Sequence, residues 1–180
     1  MNRRPWIIIA AIAIAASDAS AAPSEFFRLS GSMILESGDT WSIAGKRYRL
    51  YGVQSCLRGT TYTDRQNRKK DCGNASLAVL AAFIQDTHPS CAPIVQRADL
   101  TYVVCYAIVA GQPLDLGTML ISEGFGFAAL DQNGIPVNPA YAVAEQQARS
   151  RRAGLWQFSD VHHPSVLIGK ATGARQRGSQ

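Results

Sequence analysis

Acidic side chains are the scarce charge in this sequence, 13 against 18 lysines and arginines, and none falls between Val53 and Thr63. Other absences narrow the chemistry further. The longest apolar run, Trp6 to Ala16, is shorter than the roughly 20 residues needed to cross a bilayer as a helix. No C-x-x-C pair occurs, so the spacing of a structural zinc site is missing. A glycine-rich phosphate loop, an arrangement of serine, histidine and acid, and an internal repeat are all missing as well. P-loop phosphoryl transfer, triad hydrolysis and solenoid architectures are therefore set aside.

What is present begins with an export signature. Arg3 and Arg4 form a positive n-region, Trp6 to Ala16 an apolar core, and Ala19-Ser20-Ala21 a cleavage site, which together read as a signal peptide over 1–21. The expected product is exported, periplasmic or secreted, with no membrane span after cleavage and a single domain over 22–168. Losing Arg3, Arg4 and Asp18 lowers the net charge of +5 by one. The remaining positive excess permits nucleic acid, acidic polysaccharide or anionic surfaces as partners and selects none of them. Cys56, Cys72, Cys91 and Cys105 all lie in the mature part. An even number of cysteines in an exported chain favours two disulfides. Of the three pairings, Cys56–Cys72 with Cys91–Cys105 is preferred because each joins sequence neighbours. Each would close a loop of about 15 residues, worth about 3 kcal/mol through chain entropy.

Patterning predicts short strands over Phe26–Leu35, around Trp41 and Ile43, and over Tyr48–Gly52, joined as a meander with a reversal at Ala44-Gly45-Lys46. A polar loop is expected from Arg58 to Asp71, carrying Arg65, Arg68, Lys69 and Lys70 as a candidate polyanion contact. Asn74 is a possible cap for a helix with Leu77, Leu80, Ala81 and Ile84 on one face, ending at His88-Pro89. Ile94–Arg97 and Thr101–Ala110 read as further strands. Asp115 caps a short helix closed by Gly124, and Ala140–Ala153 forms a longer one with Glu145 and Arg149 spaced i,i+4. The stretch 169–180, made of Gly, Ala, Lys, Arg, Gln and Ser, reads as a disordered basic tail. The fold class expected from this pattern is β-rich α+β, a five-stranded Greek-key barrel of the OB type with about three helices.

Several motifs go beyond the generic barrel. They are Ser37-Gly38-Asp39-Thr40, Gly45 to Val53, Cys72-Gly73, Val103-Val104-Cys105-Tyr106, Asp115-Leu116-Gly117 and Gly124 with Ala128. Tyr141, Ala144-Glu145, Ala148-Arg149 and Arg152-Ala153-Gly154-Leu155-Trp156 complete the set. In this order and spacing the chain resembles the staphylococcal nuclease-like (thermonuclease) domain family over nearly all of its mature length. It also looks like the exported members associated with succinoglycan (exopolysaccharide) biosynthesis.

The resemblance implies a specific chemistry: Ca²⁺ held on two carboxylates and a backbone carbonyl, a glutamate that orients water, and two arginines that clamp the phosphate. A hard cation needs oxygen ligands, the water needs an acceptor, and the transition state needs fixed positive charge. Asp39 stands at the first metal carboxylate and Arg49 at the first arginine. Gln54 replaces the second carboxylate, Leu57 the glutamate, and Leu100 the second arginine. Asp64 and Arg97 are the nearest substitutes, Arg97 only with a remodelled loop. The site reads as degenerate, and the competing structural reading has Asp39 capping a turn and pairing with Arg49. Trp156 reads as a core plug, and adjacent His162 and His163 point apart rather than toward one metal.

The expected function is a non-catalytic accessory in exopolysaccharide biosynthesis that needs no cofactor, its partner being the polysaccharide-biosynthesis machinery or an acidic polymer. One alternative is a weak Ca²⁺-dependent nuclease on single-stranded DNA or RNA, using residual Asp39 and Arg49. The other is a polyanion- or nucleic-acid-binding module with Arg65 to Lys70 and the aromatic residues Tyr48, Tyr51 and Tyr62.

Overall fold

Alternation of apolar and polar residues builds a meander of three antiparallel strands: β2 (Met33–Leu35), β3 (Thr40–Ile43) and β4 (Lys46–Leu50). The computed structural model describes residues 26–29 and 32–178. The signal peptide expected over 1–21 lies outside the described residues. A short β1 (Phe27–Arg28) precedes the meander and pairs instead with β8 (Ser90–Arg97). Strand β8 forms a long antiparallel hairpin with β9 (Leu100–Val109), and β9 lies parallel to β4. The resulting path is β1-β8-β9-β4-β3-β2, with β10 (Gln112–Asp115) extending β9.

That order forces curvature. Five inter-strand spacings of about 4.8 Å would place the edges of a flat sheet roughly 24 Å apart. Yet β1 and β2 are successive in the chain, and the link from Arg28 to Met33 reaches about 18 Å at full extension. The sheet must curl until its two edges approach. The product is a β-rich α+β fold with a curled half-barrel sheet, consistent with an OB-like barrel.

Four helices surround it: α1 (Cys72–Thr87), α2 (Leu116–Ser122), α3 (Pro139–Ser150) and α4 (Pro164–Gly178). The N-termini of the first three are capped by short polar side chains, which satisfy orphan N–H groups of the first turn. Asp71 accepts from the Asn74 N–H, Asp115 from Thr118 and Asn138 from Ala140. The cap of α1 is thus Asp71 rather than Asn74, because the helix begins at Cys72. One face of α1 sends Ser76, Leu80 and Ile84 into the core beside Trp41, Leu50, Val103 and Leu120. A second cluster gathers Phe127 and Leu155 around the Cys56–Cys72 disulfide.

Several expectations are corrected by this arrangement. Among the described residues the main sheet has seven strands rather than five, and α-helices number four rather than about three. Phe26–Leu35 is divided between β1 and β2, because its two halves pair with opposite edges. The polar loop contains a hairpin of β6 (Thr61–Thr63) and β7 (Lys69–Asp71), secured where Asp160 accepts from the Thr63 N–H at 2.9 Å and its hydroxyl at 2.8 Å. Helix α4 extends to Gly178 and so runs into the stretch that begins at Gly169. No helix among the described residues is long and apolar enough to cross a membrane.

Candidate functional site

The turn before β3 delivers Asp39 into the core, where it is 1 % exposed. Gly38 allows this approach, since a Cβ there would lie 2.6 Å from the Cβ of Ser76 on α1. Each Asp39 oxygen is fully engaged. Oδ1 accepts from the hydroxyls of Ser37 at 2.6 Å and Thr40 at 2.8 Å. Oδ2 accepts from Arg49 Nη2 and from the Ser55 N–H, both at 2.9 Å. Arg49 faces Thr40 across the β3–β4 ladder, so strand register places its guanidinium beside the carboxylate. The same Nη2 donates to Gln54 Oε1 at 2.7 Å, and Gln54 Nε2 donates to the Ser55 carbonyl at 3.1 Å. Gln54 lies on β5 (Val53–Ser55), which pairs with β11 (Gly126–Ala128).

Arg49 and Gln54 open onto a cleft of about 650 Å³ that also carries Tyr51, Arg97, Tyr102, Asp131 and Gln132. Such a volume lies within the range of about 300–1,000 Å³ usual for small-molecule sites. Tyr51 and Tyr102 meet edge to face, with ring centres 6.4 Å apart. Neither Leu57 nor Leu100 lines this cleft. The Leu57 carbonyl instead accepts from the Thr60 N–H and hydroxyl. Arg97, the last residue of β8 and the register partner of Leu100, reaches the cleft as the strand stands, with no remodelled loop.

The other candidates lie elsewhere. Asp64 is bound within its own hairpin by the Arg68 and Gln66 N–H groups and by the Arg68 guanidinium at 3.0 Å; the Arg68 backbone contact leads in holding its carboxyl below the ordinary value. Arg65, Lys69 and Lys70 are exposed on that hairpin, outside the cleft. Tyr48 packs between Phe27 and Trp41, and Tyr62 on Phe158, so Tyr51 alone of the three proposed aromatics reaches the cleft. Trp156 stands edge-on to Phe127 under the Arg149 guanidinium, as a core plug would. His163 meets Glu145, while His162 borders a different cavity beside Cys56.

Tyr102, Asp131 and Gln132 were not legible as site residues. Tyr102 could have been found from the strand pattern, which places it opposite Arg49 in the β4–β9 register. Asp131 and Gln132 sit in a loop with no such signal.

The fit to Ca²⁺ can be judged from the donors. An ionised carboxylate offers about four acceptor positions, and all those of Asp39 are filled by protein donors. The adjacent Gln54 is neutral, and its oxygen already accepts from Arg49. Among the described residues no group of three or more histidines, cysteines, aspartates or glutamates is gathered to hold a metal. The residues present do not fit a Ca²⁺ site.

Fold and site together define a disulfide-stapled β-rich α+β protein with a buried aspartate–arginine tie beneath a mixed aromatic and cationic cleft. Both disulfides, Cys56–Cys72 and Cys91–Cys105, are formed. They and the lack of a membrane-spanning helix among the described residues are compatible with export. No family model matches the chain. The chain is similar to the succinoglycan biosynthesis protein ExoI of Rhizobium meliloti (strain 1021), with 27 % identity over 141 residues, which covers 78 % of this chain and 71 % of that protein. The staphylococcal nuclease-like resemblance rests on the motifs alone.

Proposed function

We propose that this is an exported, staphylococcal nuclease-like barrel of the OB type that does not cleave phosphodiesters and serves as an accessory in exopolysaccharide (succinoglycan) biosynthesis. One observation carries the non-catalytic part: the single retained acid, Asp39, has both oxygens saturated by protein donors. Its engagement with Arg49 also occupies the one retained arginine, so the pair acts on the fold rather than on a substrate. A nuclease would further need an acceptor for the attacking water, and Gln54 and Leu57 supply no carboxylate. The exopolysaccharide part is supported by the similarity to a protein of succinoglycan biosynthesis. Export is supported by the N-terminal signature and the two disulfides.

The test uses oxidised mature protein starting near Ala22, incubated with single-stranded DNA and RNA in Ca²⁺ and in chelator. No cleavage above background is expected in either. Metal-dependent cleavage that disappears in a folded Asp39→Ala variant would overturn the reading. In the producing organism, deletion of the gene is expected to change the amount or size of exported polysaccharide.

A further inference from the structure

Arg97 makes no side-chain hydrogen bond or ion pair among the described residues, and it stands in the wall of a cleft whose other cation is already neutralised. We propose that this cleft binds a carboxylate-bearing saccharide, with Arg97 as the carboxylate contact. The inference rests on the exopolysaccharide reading above and names the ligand class that its cleft would take.

Three features favour this class. A guanidinium presents a planar fork that matches a carboxylate in two parallel hydrogen bonds. The Tyr51–Tyr102 pair offers ring surface against which the C–H face of a sugar can pack, with phenolic hydroxyls at its edge. At the rim, Asp131 uses Oδ1 to hold its own loop, accepting from the Asn133 and Ile135 N–H groups at 2.8 Å each. Its Oδ2 is left to accept from a hydroxyl, and Gln132 beside it can donate or accept.

The same cleft is poorly made for a nucleic-acid strand. A phosphodiester backbone is tracked by successive cations. Here Arg97 is the one uncompensated cation, since Arg49 is paired with Asp39, and Asp131 would repel a passing phosphate. The exposed lysines, Lys69 and Lys70, belong to the β6–β7 hairpin and do not line the cleft.

Titration calorimetry on the oxidised mature protein can decide the matter, with three probes: trigalacturonic acid, its carboxyl-reduced neutral form, and pentathymidylate. The acidic sugar is expected to bind at least about tenfold more tightly than its reduced form, the usual scale for one charge-assisted contact. Arg97→Gln should erase that difference while circular dichroism stays unchanged, Arg97 being exposed. A double Lys69→Gln, Lys70→Gln variant should bind like the parent.

No binding of the acidic sugar, binding indifferent to Arg97→Gln, loss confined to the lysine variant, or tighter binding of pentathymidylate would each overturn the proposal. These outcomes are separable from failure of the accessory reading. Altered polysaccharide on deletion without sugar binding sinks only the ligand class. Metal-dependent cleavage with Arg97-dependent sugar binding sinks only the accessory role.

Discussion

Asp39 accepts four hydrogen bonds, one of them from the buried Ser55 N–H, which could not find water if the carboxylate were removed. Asp39→Ala would leave the Arg49 guanidinium without its counter-charge and the buried Ser55 N–H without an acceptor. Breaking such a pair costs about 3–5 kcal/mol when both partners are fully buried. The Arg49 side chain keeps 26 % of its exposure and can recover some hydration, so the expected loss is smaller, about 2–4 kcal/mol. Urea unfolding measures it directly. An unchanged midpoint would mean that Asp39 is held for a ligand rather than for the fold. The possibility of this pairing was readable from sequence, since Asp39 ends a turn and Arg49 follows on the next strand. Its saturation was not, because the fourth donor is a backbone N–H on β5 whose position depends on how that strand packs.

At the scale of elements, the β8–β9 hairpin deserves most weight because both Arg97 and Tyr102 stand on it. Cys91 and Cys105 face each other directly across this ladder, are wholly buried, and lie 14 residues apart in sequence. Replacing both by alanine should lower stability by about 3 kcal/mol, the chain-entropy value for a loop of this length. Equilibrium unfolding of this variant against the oxidised parent, both keeping Cys56–Cys72, checks it, and an unchanged stability would mean that the crosslink contributes nothing. Strand and helix types in this region follow from alternation and capping residues, which act within a few positions. The number of strands did not follow from them. β6, β7 and β11 are each three residues long, too short to show a period, and exist because β11 pairs with β5 and because Asp160 secures the β6–β7 hairpin.

The molecule as a whole is tied together by Glu145 on α3. Its Oε2 accepts from the Ala128 N–H of β11 at 2.7 Å and lies 3.3 Å from Nε2 of His163, which leads into α4. Its Oε1 meets Arg149 one turn along the helix at 3.2 Å. Burial pushes this carboxyl upward. The hydrogen bonds from His163 and Ala128, with the charges of His163 and Arg149, outweigh burial and hold it below its ordinary value of 4.5.

A lowered carboxyl pKa stabilises the fold at pH above the unfolded value, and that contribution is lost as pH falls through the folded one. Thermal unfolding should therefore show a loss of stability that sets in below about pH 4.5. In Glu145→Gln that part of the acid dependence should be flattened. An acid limb of the same steepness in the variant would place the effect on other carboxylates.

The sequence by itself determined the features that are local or compositional. Those are the strand meander, the helix cap at Asp115, the preference for sequence-neighbour disulfides, and the absence of acids from Val53 to Thr63. Tertiary structure alone decided which of the remaining polar groups are spent and which are free. Arg49 and Arg97 are the same residue type on the two strands that flank β9 in one sheet, yet one is neutralised by a buried aspartate and the other has no side-chain partner among the described residues. The reason is physical. A side chain's charge is fixed by its type, but its availability depends on which donors and acceptors the curled sheet and its helices bring within about 3 Å of it.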